Sequence, residues 1–503
     1  MKYVSTRDVN AGDKINSAEA IKRGIADDGG LFMPCEIVKI DSKKLNQMRG
    51  MSYEELARDI LSLYLTDYPV DTLDKIARKA YSKENFGNSP AVLTKLDDAR
   101  YVLELYHGPT SAFKDMALQI MPLLLSEAFN ITGEERDALI LTATSGDTGK
   151  AALEGLKDID KIEIVVFYPK DGVSKIQKLQ MDTQEGKNVN VCSVEGNFDD
   201  CQTGVKNIFS DDEIKKLLRE KNIFFSSANS INFGRLIPQV VYYFYAYLEM
   251  AKRGDIELGD KIDVCVPTGN FGNIFAGYIA KEMGLPVDKF ICASNKNDVL
   301  TEFFNTGIYN RNREFFTTMS PSMDILISSN LERLLYLLAG ADENLKYMKK
   351  LNADGQYSIS QEIKNKLDES FIGMSCDETQ TAEIIKKVFD KYNYLIDTHT
   401  AVAFYCAEDY INQIETVTET ENRDKKTLIV STASAYKFAN DTYFALTGEN
   451  MDEADEFKAL KLLADYTKTE IPVPLKELRN KIARFNNSIE ITQMKKYITD
   501  FIK

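Results

Sequence analysis

Ala138-Leu139-Ile140-Leu141-Thr142-Ala143-Thr144 runs straight into Ser145-Gly146-Asp147-Thr148-Gly149, and a helical pattern begins at Lys150. The apolar run is too short for a core helix and is closed by small polar residues, so it reads as a fully buried strand, a turn and a helix. Residues 162–167, 189–193, 262–266 and 427–430 repeat the pattern of a short apolar run between helical segments. Such alternation specifies an α/β chain with parallel sheets covered by helices on both faces. Sheets of this kind bind ligands beyond the carboxyl ends of their strands. The chain's Gly/Ser/Thr turns fall there.

Two of those turns suit an anion. Thr144-Ser145-Gly146-Asp147-Thr148-Gly149 offers hydroxyls and backbone N–H groups at a helix start, which fits a carboxylate or a phosphate. Gly269-Asn270-Phe271-Gly272-Asn273 follows the strand at 262–266 and opens a helix at 274–282. Its glycines let the backbone curl, and the helix dipole favours negative charge. It is neither a Walker loop nor GxGxxG. It therefore fits a phosphate-carrying cofactor better than a nucleotide, and it equally fits a plain strand-to-helix turn. Upstream, Tyr106-His107-Gly108-Pro109-Thr110-Ser111-Ala112-Phe113-Lys114-Asp115 joins an extended apolar run at 101–106 to an apolar helix expected over 116–129. Lys114 is the only lysine between Lys95 and Lys150. A lysine at such a junction either snorkels from a core helix or becomes a nucleophile through desolvation.

The chain has 503 residues, enough for roughly three domains. Its net charge of −15 disfavours nucleic acid. Seven scattered cysteines with no CxxC read as reduced thiols, and two distant histidines, His107 and His399, do not make a zinc site. Neither histidine accompanies a GxSxG elbow, and His399 at a helix start reads as a cap or packing residue. There is no secretory signal and no apolar run long enough to span a bilayer, so the expectation is a cytoplasmic enzyme without a membrane partner.

Residues 1–96 read as a mainly helical unit without chemistry, with helices at 17–24, 52–64 and 71–81 and Ser52 and Asp71 as caps. Residues 331–395 read as a charged helical surface excursion with helices at 331–338, 345–350, 360–367 and 379–392. The tail, 446–503, reads as two helices, 459–466 and 475–485, lying over the body.

Taken together, the motifs resemble the threonine synthases, pyridoxal-phosphate lyases of the tryptophan-synthase-β (fold type II) group. The resemblance runs from Tyr3-Val4-Ser5-Thr6-Arg7 to about Phe444. It takes in Gly24-Ile25-Ala26-Asp27-Asp28-Gly29-Gly30-Leu31, the 107–115 stretch, the 144–149 turn, Asn229-Ser230-Ile231-Asn232 with Arg235, and the 269–273 loop. It implies two parallel-sheet domains of the fold type II kind behind the helical N-terminal domain. The large cofactor domain would comprise 97–135 and 240–445, interrupted by the 331–395 excursion; 136–239 would form the small domain and 446–503 a C-terminal tail.

The resemblance also implies the cofactor, pyridoxal 5'-phosphate. Lys114 corresponds to the lysine that bonds it; Gly269, Asn270, Phe271, Gly272 and Asn273 match its phosphate loop. Thr432 matches the hydroxyl that faces the pyridine nitrogen and leaves it largely unprotonated, and Phe113 is the candidate to stack on the ring. The implied substrate is O-phospho-L-homoserine, converted with water to L-threonine and phosphate by γ-elimination and β-addition, with Lys114 as the base; this is the last step of threonine biosynthesis. Its phosphate is assigned to Arg235, helped by Asn232, Thr110 and Ser111, and the 144–148 turn (Thr144, Ser145, Asp147, Thr148) is assigned to the substrate too. A monomer or weak dimer is expected. The chain departs from the family at Ala433-Ser434-Ala435-Tyr436-Lys437-Phe438, where the family has Ala-His-Pro-Ala-Lys-Phe. Two other readings remain at this stage: a serine/threonine dehydratase-like lyase and a non-catalytic cofactor-binding relative.

Overall fold

The computed structural model describes residues 1–10, 12, 14–417, 425–450 and 456–502. Two parallel sheets carry the architecture. The larger has the order Phe371–Ser375, Val287–Ser294, Ile262–Pro267, Thr427–Ser431, Arg100–Glu104, all parallel, with Val92–Lys95 antiparallel at the edge. The smaller is wholly parallel: Ser488–Glu490, Val189–Glu195, Ile162–Pro169, Asp137–Ala143, Ile223–Ser226. Ile262–Pro267 and Thr427–Ser431 are buried at every position, and Asp137–Ala143 at all but its first. Continuous burial follows from helices on both faces and explains why these strands are unbroken apolar runs. Helix Thr398–Val417 covers one face of the large sheet, and the apolar face of Phe198–Ser210 packs on the small one.

Several elements differ from the sequence-based expectation. The helix expected over 116–129 is two helices, Asp115–Leu118 and Met121–Thr132, because Pro122 can start a helix but cannot continue one. Ser52 caps Tyr53–Tyr64 with a full capping box to Glu55, but Asp71 is not a cap: the helix starts at Val70 behind Pro69, leaving Asp71 in its first turn. Val92–Lys95, grouped by sequence with the first unit, belongs to the large sheet. The helices expected at 331–338 and 345–350 are present as two, lying within Leu331–Asp354 on either side of Gly340, whose backbone (φ 81°, ψ 172°) is not helical. The excursion is not confined to the surface. Phe371–Ser375 is an edge strand of the large sheet, and Arg333 is fully buried, donating to the carbonyls of Phe32, Ser230 and Ile231. The tail also does more than lie over the body. Its Ser488–Glu490 joins the small sheet and its helix Met494–Ile502 packs on that sheet's outer helices, while the helix expected over 475–485 shrinks to Val473–Lys476 and one 3-10 turn.

Candidate active site

The carboxyl ends of Ile262–Pro267, Thr427–Ser431 and Asp137–Ala143 open onto one cavity of about 580 Å³. It brings together Phe113, Lys114, Thr144, Ser145, Asp147, Thr148, Arg235, the 269–273 loop and Thr432. It does not bring Thr110, Ser111 or Asn232. Thr110 is fully buried and donates both its N–H and its hydroxyl to Asp115 (2.8 and 2.7 Å). Ser111 is buried at φ +58°, its carbonyl accepting from the Ser434 N–H. Asn232 caps the short helix Phe233–Leu236 and spends its amide on the carbonyls of Ile21 and Ser227. Side chains adjacent in sequence to site residues here brace the backbone instead of facing the ligand.

That bracing places Lys114. The turn before it is held by Asp115. Ala112 pairs with Ala433 as an isolated bridge, and the Phe113 N–H donates to the Thr432 carbonyl at 2.7 Å. The lysine is thus stitched to the loop leaving the neighbouring strand. Its ammonium lies 3.7 Å from the Asp147 carboxylate and 5.5 Å from the centre of the Phe113 ring. Burial depresses Lys114 to a pKa of about 8; Asp147 opposes the shift, and Arg235 and Lys437 add to it. The desolvated-nucleophile reading is the one this environment supports.

The glycine loop is built for an anion. Phe271 takes a left-handed φ of +64° and packs its ring against Phe304 and Phe371, at 5.7 and 5.8 Å between centroids. The loop's carbonyls are turned to the 328–330 segment: Gly269 O accepts from Ser328 Oγ (2.7 Å) and Asn270 O from Asn330 N and Nδ2. A Cβ at Gly269 would stand 3.1 Å from Met323 Cα and Ser322 O. Helix Gly272–Met283 begins in the loop, so its first N–H groups have no partner in the preceding turn. The Asn273 Oδ1 accepts from the hydroxyls of Tyr242 (2.6 Å) and Tyr243 (2.7 Å), which leaves Nδ2 as a buried donor without a partner at the cavity wall. An unmet buried amide donor costs stability unless an acceptor meets it. A phosphate is such an acceptor, and a lysine with a lowered pKa in the same cavity is chemically suited to bond an aldehyde. These residues fit pyridoxal phosphate.

A second cationic point is separate from the loop. Arg235 is 4 % exposed and lines the cavity; its Nη1 donates to Ala228 O (3.1 Å), its Nε has no partner, and among the described residues no carboxylate pairs with it. Burial lowers its pKa to about 10. Asp147, assigned to the substrate from sequence, has its carboxylate already engaged. Its Oδ1 receives Lys437 Nζ at 2.6 Å and Gln177 Nε2 at 2.8 Å, and Oδ2 faces Lys114. Burial alone would raise its pKa, but Lys437 and then Lys114 hold it far below the carboxylate range. It cannot contact a substrate anion through those oxygens. The Thr144 hydroxyl likewise accepts from Gly146 N and Gly149 N, bracing the turn; Ser145 and Thr148 remain for a ligand.

Sequence reasoning missed a residue that pairs with a cavity residue, Lys437 on Asp147, and one that lines the cavity, His399. Lys437 and Phe438 keep the family's Lys-Phe after the three departing positions 434–436, and that retained lysine was the available signal. His399 lines the cavity: its Nε2 accepts from Ser322 N (3.1 Å), which makes Nδ1 the protonated nitrogen beside Asp397 (3.2 Å).

Comparison with known proteins gives the family of this fold. Residues 88–419 match the family described as pyridoxal-phosphate dependent enzyme, which is the class the fold and the lysine site define. Residues 2–81 match the threonine synthase N terminus. Threonine synthase-like 1 of Homo sapiens is 39% identical over 92% of this chain, which spans 63% of that relative's length. Threonine synthase of Schizosaccharomyces pombe is 36% identical, with 89% of this chain and 90% of the relative covered. The crystal structure of a PLP-bound threonine synthase from Brucella melitensis superposes with a TM-score of 0.84 at 34% identity, covering 100% of this chain and 98% of that one. The chain belongs to the threonine synthase family.

Proposed function

We propose that this chain catalyses the threonine synthase reaction, converting O-phospho-L-homoserine and water to L-threonine and phosphate as the last step of threonine biosynthesis. The observation that carries this reading is Arg235: a buried guanidinium without a carboxylate partner, in the same cavity as Lys114 and distinct from the phosphate loop. A site for cofactor alone needs one anion point; this cavity has two. The names of its full-length relatives support the same reading.

Lys114 would bond the cofactor, with the 269–273 loop and the Asn273 amide on its phosphate, Thr432 at the pyridine nitrogen and Phe113 against the ring. Bound there, pyridoxal phosphate supplies the electron sink that acidifies the substrate's α and β C–H bonds. Freed by the incoming amino group, the Lys114 amine takes the α proton and then the β proton. Its lowered pKa lets it cycle between the neutral and charged forms near neutral pH. Arg235 holds the phosphate as it leaves Cγ, and the N–H groups opening helix Asp147–Leu156, with Ser145 and Thr148, hold the α-carboxylate. Water adds at Cβ and a proton at Cγ. A monomer or weak dimer in the cytoplasm is part of the proposal; the free cysteines, six of seven buried, support a reducing compartment.

The test is product analysis. Phosphohomoserine should yield phosphate and threonine in equal amounts. Ammonia released from threonine at a comparable rate would indicate a dehydratase, and cofactor binding without turnover a non-catalytic relative.

A further inference from the structure

Lys437 is a fully buried lysine that the proposed chemistry does not use. It lies on a 3-10 turn, Ala435–Phe438, whose cap is Ser434, the residue standing where the family has histidine. The Ser434 hydroxyl accepts from Tyr436 N and its backbone N–H donates to Ser111 O, so the substitution retains a turn cap and ties it to the Lys114 segment. The Lys437 ammonium reaches Asp147 Oδ1 at 2.6 Å and Thr110 O at 3.0 Å. Its own carbonyl accepts from Ser174 Oγ at 3.3 Å. Asp147 opens the helix after the small-sheet strand Asp137–Ala143 and Ser174 caps the helix after Ile162–Pro169, whereas Lys437 follows a large-sheet strand. One residue therefore bridges the two units beside Asp147, which lines the cavity. Asp147 sits between two lysines, nearer to Lys437 than to Lys114 by 2.6 against 3.7 Å.

We propose that Lys437 is a positioning residue: it draws the Asp147 carboxylate away from full contact with Lys114 and pins the small unit against the Lys114 turn. Without Lys437, Asp147 is a buried anion that keeps only the neutral donors Gln177 Nε2 (2.8 Å) and Ser322 Oγ (3.4 Å), with Lys114 as its one remaining cation, and it would swing onto Lys114. The amine would then hold its proton to higher pH and serve less well as nucleophile and base near neutrality. The other charged groups facing this cluster are Arg235, which acts on Lys114, His399, which acts on Asp147, and Asp115, which faces Lys437 and has Glu154 beyond it. None of them bonds the Asp147 carboxylate, so none replaces Lys437.

The role rests on the proposed use of Lys114, but its test needs neither cofactor nor substrate, so the two readings fail separately. Trace acetic anhydride labelling of the full cofactor-free chain, quantified lysine by lysine from about pH 6 to about pH 10, reads the free amine of Lys114 directly. In Lys437→Met the midpoint for Lys114 should rise by about one pH unit, about tenfold slower labelling below it, while exposed Lys349 is unchanged. Lys437→Arg should stay within about threefold of wild type, because a guanidinium can still pair with Asp147. An unmoved Lys114 profile in folded Lys437→Met overturns the proposal. If that variant does not fold, Lys437→Gln, which keeps a donor for Thr110 O, is read the same way. Lys437→Met placed on Asp147→Asn should have a smaller effect than on wild type; an equal effect would mean that Lys437 does not act through Asp147 and would also overturn it.

Discussion

In the proposed site, Asn273 would meet the cofactor phosphate through a single amide donor. Two tyrosine hydroxyls consume its acceptor and so orient its donor. Asn273→Asp exchanges that donor for a negative charge, and cofactor affinity should fall about ten- to hundredfold, the loss of a charge-assisted bond of about 1.5–3 kcal/mol, read by absorbance titration. Arg235→Lys should lower kcat/KM for phosphohomoserine by about tenfold or more while leaving cofactor affinity intact, because the fork geometry is lost but the loop is untouched. Equal cofactor loss would make Arg235 structural. The pKa of Lys114, lowered to about 8, gives a signed pH prediction. The neutral amine that attacks the cofactor's aldehyde grows as pH rises, so reconstitution should accelerate up to about pH 8 and then level off. Continued acceleration towards the ordinary lysine value would contradict the buried setting. At this scale, the placement of Lys114 and Asn273 in one cavity was legible because each lies inside a local motif. Thr110, Ser111 and Asn232 were misread, because proximity in sequence does not say which side of the backbone a hydroxyl or amide faces. Lys437 escaped because its partners are 290 and 327 positions away in the chain.

The elements repeat the lesson at longer range. Buried strands and their polar turns were readable because parallel strands covered on both faces must be continuously apolar. The Gly269 loop was readable as an anion turn, yet the reason for glycine at 269 is tertiary: Met323 and Ser322, more than fifty residues on, press against it. Gly269→Val should therefore displace the loop and strip cofactor while the fold persists. Gly272→Ala, whose Cβ would meet Asn330 and Ser230 at an ordinary 3.4 Å, should retain it. Cofactor absorbance after gel filtration distinguishes the two, and equal retention would mean that the phosphate does not depend on this loop. The break at Pro122 and the kink at Gly340 were available in the sequence as helix breakers. The edge strand Phe371–Ser375, placed inside a charged helical excursion, was not, because its partner strand lies about eighty residues earlier.

Across the whole molecule the chain crosses between its two sheets more than once, and the tail is the last crossing. Met494, Ile498 and Ile502 are buried against the small unit, and Lys495 pairs with Asp211 and Glu213 there. Removing residues 487–503 uncovers three apolar side chains worth about 1.5–3 kcal/mol each. It should lower the melting temperature and make 198–220 the first site of proteolysis, with Lys114 still able to bind cofactor. Unchanged proteolysis would show that the tail is dispensable. The proposed reaction is defined by where bonds break and form in the substrate. Turnover of phosphohomoserine in oxygen-18 water, with mass spectrometry of both products, tests it most directly. Elimination at Cγ and hydration at Cβ predict label in the threonine hydroxyl and none in the released phosphate. Label in the phosphate, with homoserine as the other product, would mean simple ester hydrolysis and would contradict the assignment.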